Sequence, residues 1–494
     1  MSLAAPAAQA DPPAPSREQS SDGSLPEGPW PPSRVLATDP ATISAPRQPT
    51  TAAVACPPAP YGVQHYAPGS GKTVALTFDD GPGVTTAAVM AILEDNGVAG
   101  TFFNIGVNQA VRGSTVRAER TQGFLLGNHS WSHPDMARLS ASAQAAELDK
   151  ATAEQTALVG SPPCFFRPPY GSYNSTTLAL AQARNLSVWN WSVDTEDWKA
   201  GGSSSAFWVD RIISRAEAGG SQSHPVVLFH NPPDGNPATV AALPTIINFY
   251  RDRGYTFVDL AGRIADRPIT CDWDGNGTVT PGVVRGDTWY LRNSNTAGPA
   301  DVVFRFGLPT DRPITGDWDG NGTTTVGVVR GNTWYLLNAN RGGPPNISFA
   351  LGRSSDRPIT GDWDGNGTTT VGVVRGNTWY LLNANRGGTA DISFALGRST
   401  DRPVTGDWNG DGRTTIGVLR GGTWYLLNAN RSGAADLAFV YAGDTDRPIT
   451  GDWDGNGTTT VGVDRGATWY LRSTNTAGPA TTVFTFAPPT SVAR

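Results

Sequence analysis

Charge is scarce in this sequence, and each shortage narrows the classes of function it can serve. Asp, Glu, Lys and Arg make up only 16 % of the 494 residues, and the acids outnumber the bases, 43 to 37. A net charge of −6 argues against the clustered basic surface that a nucleic-acid partner requires. No run approaches the roughly 20 apolar residues of a membrane-spanning helix, so the chain is not expected to span a membrane. Three cysteines, Cys56, Cys164 and Cys271, are too few for a disulfide scaffold. Cys56 and Cys164 fall in one candidate domain and can pair in an oxidising compartment, whereas Cys271 is expected to be a free, partly buried thiol. Only five histidines are present, which gives weight to any two that stand close together.

What the chain has in quantity is glycine and proline, 58 and 39 residues, the punctuation of a turn-rich fold. Residues Ala4 to Ala10 look like the small-residue end of a secretory signal, with Asp11 as first mature residue, and imply a secreted or cell-wall-associated protein. The Pro-, Ser- and Ala-rich stretch that follows has no apolar period and reads as a linker, so residues 1–55 are taken as signal remnant and disordered linker. From 266 to 494 the sequence repeats. Asp-Arg-Pro recurs at Asp266, Asp311, Asp356, Asp401 and Asp446, a period of 45 residues. Each unit holds four short strand-like runs between Gly- and Asn-rich turns, which predicts a five-bladed β-propeller, with a β-solenoid as the alternative.

Residues 56–265 have a different rhythm. Strand-like runs at Val74–Phe78, Ala99–Ile105, Phe124–Leu126, Leu186–Val193, Val226–Phe229 and Thr256–Val258 alternate with helix-like segments, including Thr85–Asn96, Ser140–Leu158, Ser175–Asn185 and Thr239–Arg253. This is the α/β pattern of a mainly parallel sheet or barrel, whose chemistry sits at the C-terminal strand ends. Polar clusters stand at those ends. Asp79 and Asp80 follow the first run; adjacent carboxylates point apart, so one can bind a metal while the other acts as a base, though alone the pair also reads as a turn. His129 and His133, four residues apart, bring two imidazoles to one side of a tight turn, as a shared metal needs. An Arg near Asp79 would favour its charge, and an Asp near His230 would favour the imidazolium. Residues 109–120 and 234–237 are read as lining the cleft.

The ordered set Thr77–Pro82 (TFDDGP), His129–His133 (HSWSH), Arg167–Tyr170 (RPPY), Asp194–Trp198 (DTEDW) and Leu228–His230 (LFH) resembles the five motifs of the NodB-like polysaccharide deacetylases, carbohydrate esterase family 4. The resemblance implies a distorted (β/α) barrel. It also implies a mononuclear Zn²⁺, or another divalent transition metal, on Asp80, His129 and His133. Asp79 would be the base and His230 the acid, with Arg167 and Asp197 tuning them. Tyr170, through its backbone N–H, would hold the oxyanion, and Trp198, Leu228 and Pro168 would complete the substrate side. The implied activity is removal of N-acetyl groups from an N-acetylglucosamine polymer such as chitin oligomers or peptidoglycan. O-acetyl xylan is the alternative substrate, and an inactive carbohydrate-binding protein the alternative class. A monomer is expected. Leu126 stands where many members carry an acid, and Asn231-Pro232 follows where many have Asp.

The repeats resemble the FG-GAP/VCBS type. Their loops place oxygen side chains at alternate positions: Asp272/Asp274/Asn276, Asp317/Asp319/Asn321, Asp362/Asp364/Asn366, Asp407/Asn409/Asp411 and Asp452/Asp454/Asn456. That spacing suits Ca²⁺, but Thr occupies the ninth position of each, so a metal-free turn is equally expected. Two Trp per unit read as packing between blades or, alternatively, as sugar-stacking platforms.

Overall fold

The computed structural model describes residues 56, 58–443 and 446–489; the signal and linker read at 1–55 lie outside them. Its first part is one curled parallel sheet. Strands β1 (Val63–Gln64), β2 (Thr73–Gly81), β3 (Gly100–Asn104), β4 (Leu125–Asn128), β5 (Phe165–Phe166), β6 (Ser187–Trp189), β7 (Val193–Asp194), β8 (Val226–His230) and β9 (Thr256–Phe257) form it. They run in the order β1-β6-β5-β4-β3-β2-β8-β7, with β9 also paired to β2, so β1 and β7 leave the half-barrel open. Around it lie α1 (Thr86–Asp95), α2 (Gly106–Val111), α3 (Gly113–Thr121), α4 (Ala141–Val159), α5 (Ser175–Gln182), α6 (Ala206–Glu217) and α7 (Pro237–Asp252). The period of two does the sorting. Val74, Leu76 and Phe78 of β2 and Val227 and Phe229 of β8 enter the core under the helices. Their alternates Thr77, Asp79, Leu228 and His230 therefore share the inner face.

One expectation is corrected. The run 186–193 is not one strand: β6 pairs with β1 and β5, while β7 pairs with β8. The chain turns between them because the carbonyls of Trp189 and Asn190 leave the ladder to accept from Arg167. Residues 109–120 fall in α2, α3 and the link between them, where Gln109 is fully buried and Arg112 donates to the Pro233 carbonyl. Cys56 and Cys164 do form a disulfide, and Cys271 is free and half-buried.

The repeats fold into five four-stranded antiparallel sheets. The first comprises β10 (Asp266–Cys271), β11 (Thr280–Arg285), β12 (Thr288–Leu291) and β13 (Val302–Arg305). A complete circuit of hydrogen bonds closes the propeller. Thr324, Thr369, Thr414 and Thr459 each donate a backbone N–H to the carbonyl of Asp272, Asp317, Asp362 and Asp407 in the preceding blade, and Val279 donates to Asp452. The ten blade tryptophans are buried. The Trp334 indole N–H, for example, is spent on the Leu351 carbonyl, and its ring stacks on Phe349. They are packing residues and offer no sugar platform.

The two regions meet through a ring of arginines. Arg267, Arg312, Arg357, Arg402 and Arg447, the second residues of the five Asp-Arg-Pro triplets, each donate to the carbonyl of the first residue of the next triplet. Into this ring projects the C-terminal end of α1. Glu94 is 2.7 Å from Arg402 and Asp95 is 3.4 Å from Arg357. Arg312 and Arg251 both donate to the Asn248 side-chain oxygen, and Gly466 abuts the Thr121 carbonyl. Every barrel residue in this seam lies at or near a helix C-terminus, beside the N-terminal ends of the strands.

Candidate metal centre and catalytic site

The opposite ends of the strands carry the chemistry. β2 bulges between Asp79 and Gly81 in its pairing with β3, and Asp80 takes a left-handed φ of 68°. A bulge re-aims a side chain, and here the two acids part company. Asp79 is buried on the inner face and accepts from Arg167 Nη1 at 2.8 Å. Arg167 is itself buried; burial lowers its affinity for a proton, and the Asp79 charge opposes that. It also donates to the Thr77 hydroxyl, which fixes the guanidinium against the strand.

Asp80 turns toward the histidines. Its Oδ1 lies 3.4 Å from His129 Nε2 and 3.2 Å from His133 Nε2. The ligand atoms of these three residues fall within 4.8 Å of one another. The His129 Nδ1 proton goes to the Arg167 carbonyl at 2.7 Å, which leaves the Nε2 lone pair facing Asp80. The histidines sit in a tight loop after β4, where Ser130 and His133 also have positive φ. Burial works against charge on Asp80, yet hydrogen bonds with His129 and His133 hold its carboxyl far below the ordinary range. Apart from these two imidazoles, its buried Oδ1 meets no donor among the described residues. Two imidazoles and one carboxylate oxygen fit a divalent cation, and three ligands leave a position of its tetrahedral shell open.

His230 stands directly across from Asp79 in the β2–β8 register. Its Nδ1 is 2.7 Å from Asp197 Oδ1, and its backbone N–H donates to Asp197 Oδ2. Burial alone would lower the imidazole pKa, but the Asp197 charge and hydrogen bond raise it to about 9. Asn236 and Thr239 add two more donors to Asp197. The sequence marks Asn236 only as part of the cleft-lining stretch 234–237 and does not single out Thr239, although Asn236 before Pro237 is a legible helix-capping signal. Leu228 is buried on the face of His230, while Trp198 and Tyr170 remain 56 % and 69 % exposed beside the motifs they belong to. The Tyr170 ring meets His133 edge-on at 4.7 Å, and its own φ is 61°. Pro168 is buried just ahead of it.

The repeat loops, read as possible Ca²⁺ sites, close instead on their own backbone. Asp272, Asp317, Asp362, Asp407 and Asp452 each accept backbone N–H groups from the fifth and sixth loop residues. The fifth residue is spent locally as well. The side-chain oxygens of Asn276, Asn321, Asn366 and Asn456 each accept the N–H two residues on, as does Asp411 in the fourth loop. At the third position Asp274 accepts from the Asn276 N–H, and Asn409 turns its amide to donate to Asp411. Asp319 and Asp454 lie exposed at that position, and Asp364 half-buried. These backbone N–H groups give each loop a hydrogen-bonded turn of its own, the second of the two arrangements expected from the spacing. Among the described residues, the His, Cys, Asp and Glu side chains close enough to share an ion are Asp80, His129 and His133, none of them in a repeat.

Comparison with known proteins places the similarity on the barrel half of the chain. A family model described as polysaccharide deacetylase matches residues 66–189. A peptidoglycan-N-acetylglucosamine deacetylase of Bacillus cereus is 33 % identical over 202 residues, 40 % of this chain and 71 % of that protein. A bifunctional xylanase/deacetylase of Pseudobutyrivibrio xylanivorans is 37 % identical over 191 residues, 38 % of this chain but only 30 % of its own length. Among solved structures, a family 4 carbohydrate esterase from Streptomyces lividans in complex with acetate is 30 % identical. The match covers 39 % of this chain and 97 % of that one, with a TM-score of 0.35.

Proposed function

This chain belongs to the polysaccharide deacetylase family, and from that premise we propose that it is an active, metal-dependent N-deacetylase of N-acetylglucosamine polymers at the cell wall or outside the cell. One observation carries the reading: Asp79 and His230 face each other across two paired strands, each with its own buried charge partner, at the edge of a three-ligand centre. Asp80, His129 and His133 would hold the cation, which when bound would polarise an acetyl carbonyl and acidify water.

The side chains then divide the proton work. Asp79, held in place by Arg167, takes a proton from the attacking water. The Tyr170 backbone N–H donates to the oxygen on which negative charge gathers. His230, kept protonated by Asp197, gives its proton to the departing amine nitrogen. Trp198 and Leu228 form the apolar side on which the acetyl methyl rests. The Cys56–Cys164 disulfide supports an oxidising compartment.

Acetate release by the Zn²⁺-loaded full chain from chitin oligomers, peptidoglycan and acetylated xylan, side by side, tests this. Release from one of the first two substrates, lost in Asp79→Asn, is expected. The similarity to a xylanase/deacetylase favours xylan as the second reading. Release from xylan alone would replace N- with O-deacetylation, and no release from any of the three would leave a binding protein.

A further inference from the structure

Behind the metal-ligand turn lies a fully buried polar group that no motif contains: Asn104, Gln109 and Glu119. Asn104 is the residue paired with Gly81 across the β2 bulge, and a methyl on Gly81 would come 2.6 Å from Asn104 Oδ1. The Asn104 side chain therefore rests against the bend that re-aims Asp80. Its carbonyl accepts the backbone N–H of His129 at 3.2 Å, and also the Gln109 side chain at 3.2 Å. One residue thus touches the backbone that carries both of these ligands. Glu119 anchors it, accepting from Asn104 Nδ2 at 2.6 Å. Asn108 donates to the Asp80 carbonyl at 2.9 Å, extending the same support.

Glu119 Oε1, Asn104 Oδ1 and Gln109 Oε1 have no hydrogen-bond partner among the described residues. Buried polar atoms left in this state oppose folding, so an apolar trio would serve a purely structural role better. Burial pushes the Glu119 carboxyl up to about 8, so near neutrality it lies beneath the centre without adding charge.

We propose that Asn104, held by Glu119, is a positioning residue that sets Asp80 relative to His129 and so determines the affinity of the centre for its cation. The proposal rests on the reading that Asp80, His129 and His133 bind a metal. Chelator competition on the full chain gives the Zn²⁺ dissociation constant, and thermal melting of the metal-free chain gives the structural contribution separately. Asn104→Leu and Glu119→Leu should each weaken Zn²⁺ binding about 10–100-fold at temperatures well below the metal-free melt, as loss of a ligand-orienting partner does elsewhere. Glu119→Gln, which keeps an acceptor oxygen, should restore affinity to within about threefold of the original, far less than the 10–100-fold effect of losing the partner. Glu119→Leu leaves Asn104 in place and gives the answer alone if Asn104→Leu does not fold. Original affinity in both leucine variants, or melting lowered with affinity unchanged, overturns the proposal while the metal reading stands. A wild-type chain that binds Zn²⁺ no better than His129→Ala overturns both.

Discussion

The barrel and the propeller differ in where they place left-handed backbone. Among the described residues, the non-glycine positions with positive φ are Asp80, Ser130, His133, Tyr170, Asn185 and Glu196, all in the barrel; in the repeats every such position is glycine. A side chain in that region costs about 1–2 kcal/mol per residue. The repeats avoid the cost by choosing the residue that carries none. Apart from Asn185, in the turn between α5 and β6, the barrel accepts it in its ligand loops and motif turns, where the side chain has to stay and its neighbours hold it. Strain of this kind gathers where the fold serves chemistry before stability.

Three changes break or sharpen that contrast. The largest effect is expected from His133→Ala: removal of a strained ligand should abolish metal binding and acetate release together, while the metal-free chain melts no lower than the original. Retained activity in the metal-free variant would end the metal assignment. The mirror experiment lies in the repeats. Trp334→Ala should lower stability by about 3–5 kcal/mol, read as a shift in denaturant midpoint, yet leave kcat/KM unchanged where the protein is still folded. A loss of activity there would show that the propeller takes part in catalysis. The smallest effect concerns pH. His230 has a folded pKa of about 9, above its ordinary 6.5. Its contribution to stability is thus complete below pH 6.5 and is lost as pH rises through about 9. Activity dependent on the imidazolium should fall over the same upper range, and Asp197→Asn should move that alkaline limb to lower pH. An unmoved limb would remove His230 from the role of acid.

Both architectures were legible in the sequence for different reasons. The 45-residue period exposed five blades because each repeats the same turn chemistry. The period does not say what those turns hold, because oxygens spaced for a cation are also spaced for backbone N–H groups, as Asp272 and Asn276 show. The acids, histidines and arginine of the site stood out because short polar motifs interrupt apolar strand ends. What stayed hidden depends on partners far along the chain. Glu94 and Arg402 are 308 residues apart, and nothing local marks α1 as a docking element. The division of 186–193 into β6 and β7 follows from carbonyls claimed by Arg167, which no period records. Asn104 and Glu119 were invisible as a pair, since an apolar β3 and an amphipathic α3 predict only packing.

The arginine ring settles the direction in which the cleft looks. It takes hold of the barrel by its floor, and each inner blade strand runs from that seam toward the Asp-rich loops at its other end. The loops and the metal turn are therefore back to back, with the depth of both regions between them. A surface met by the loops therefore leaves the mouth of the cleft uncovered.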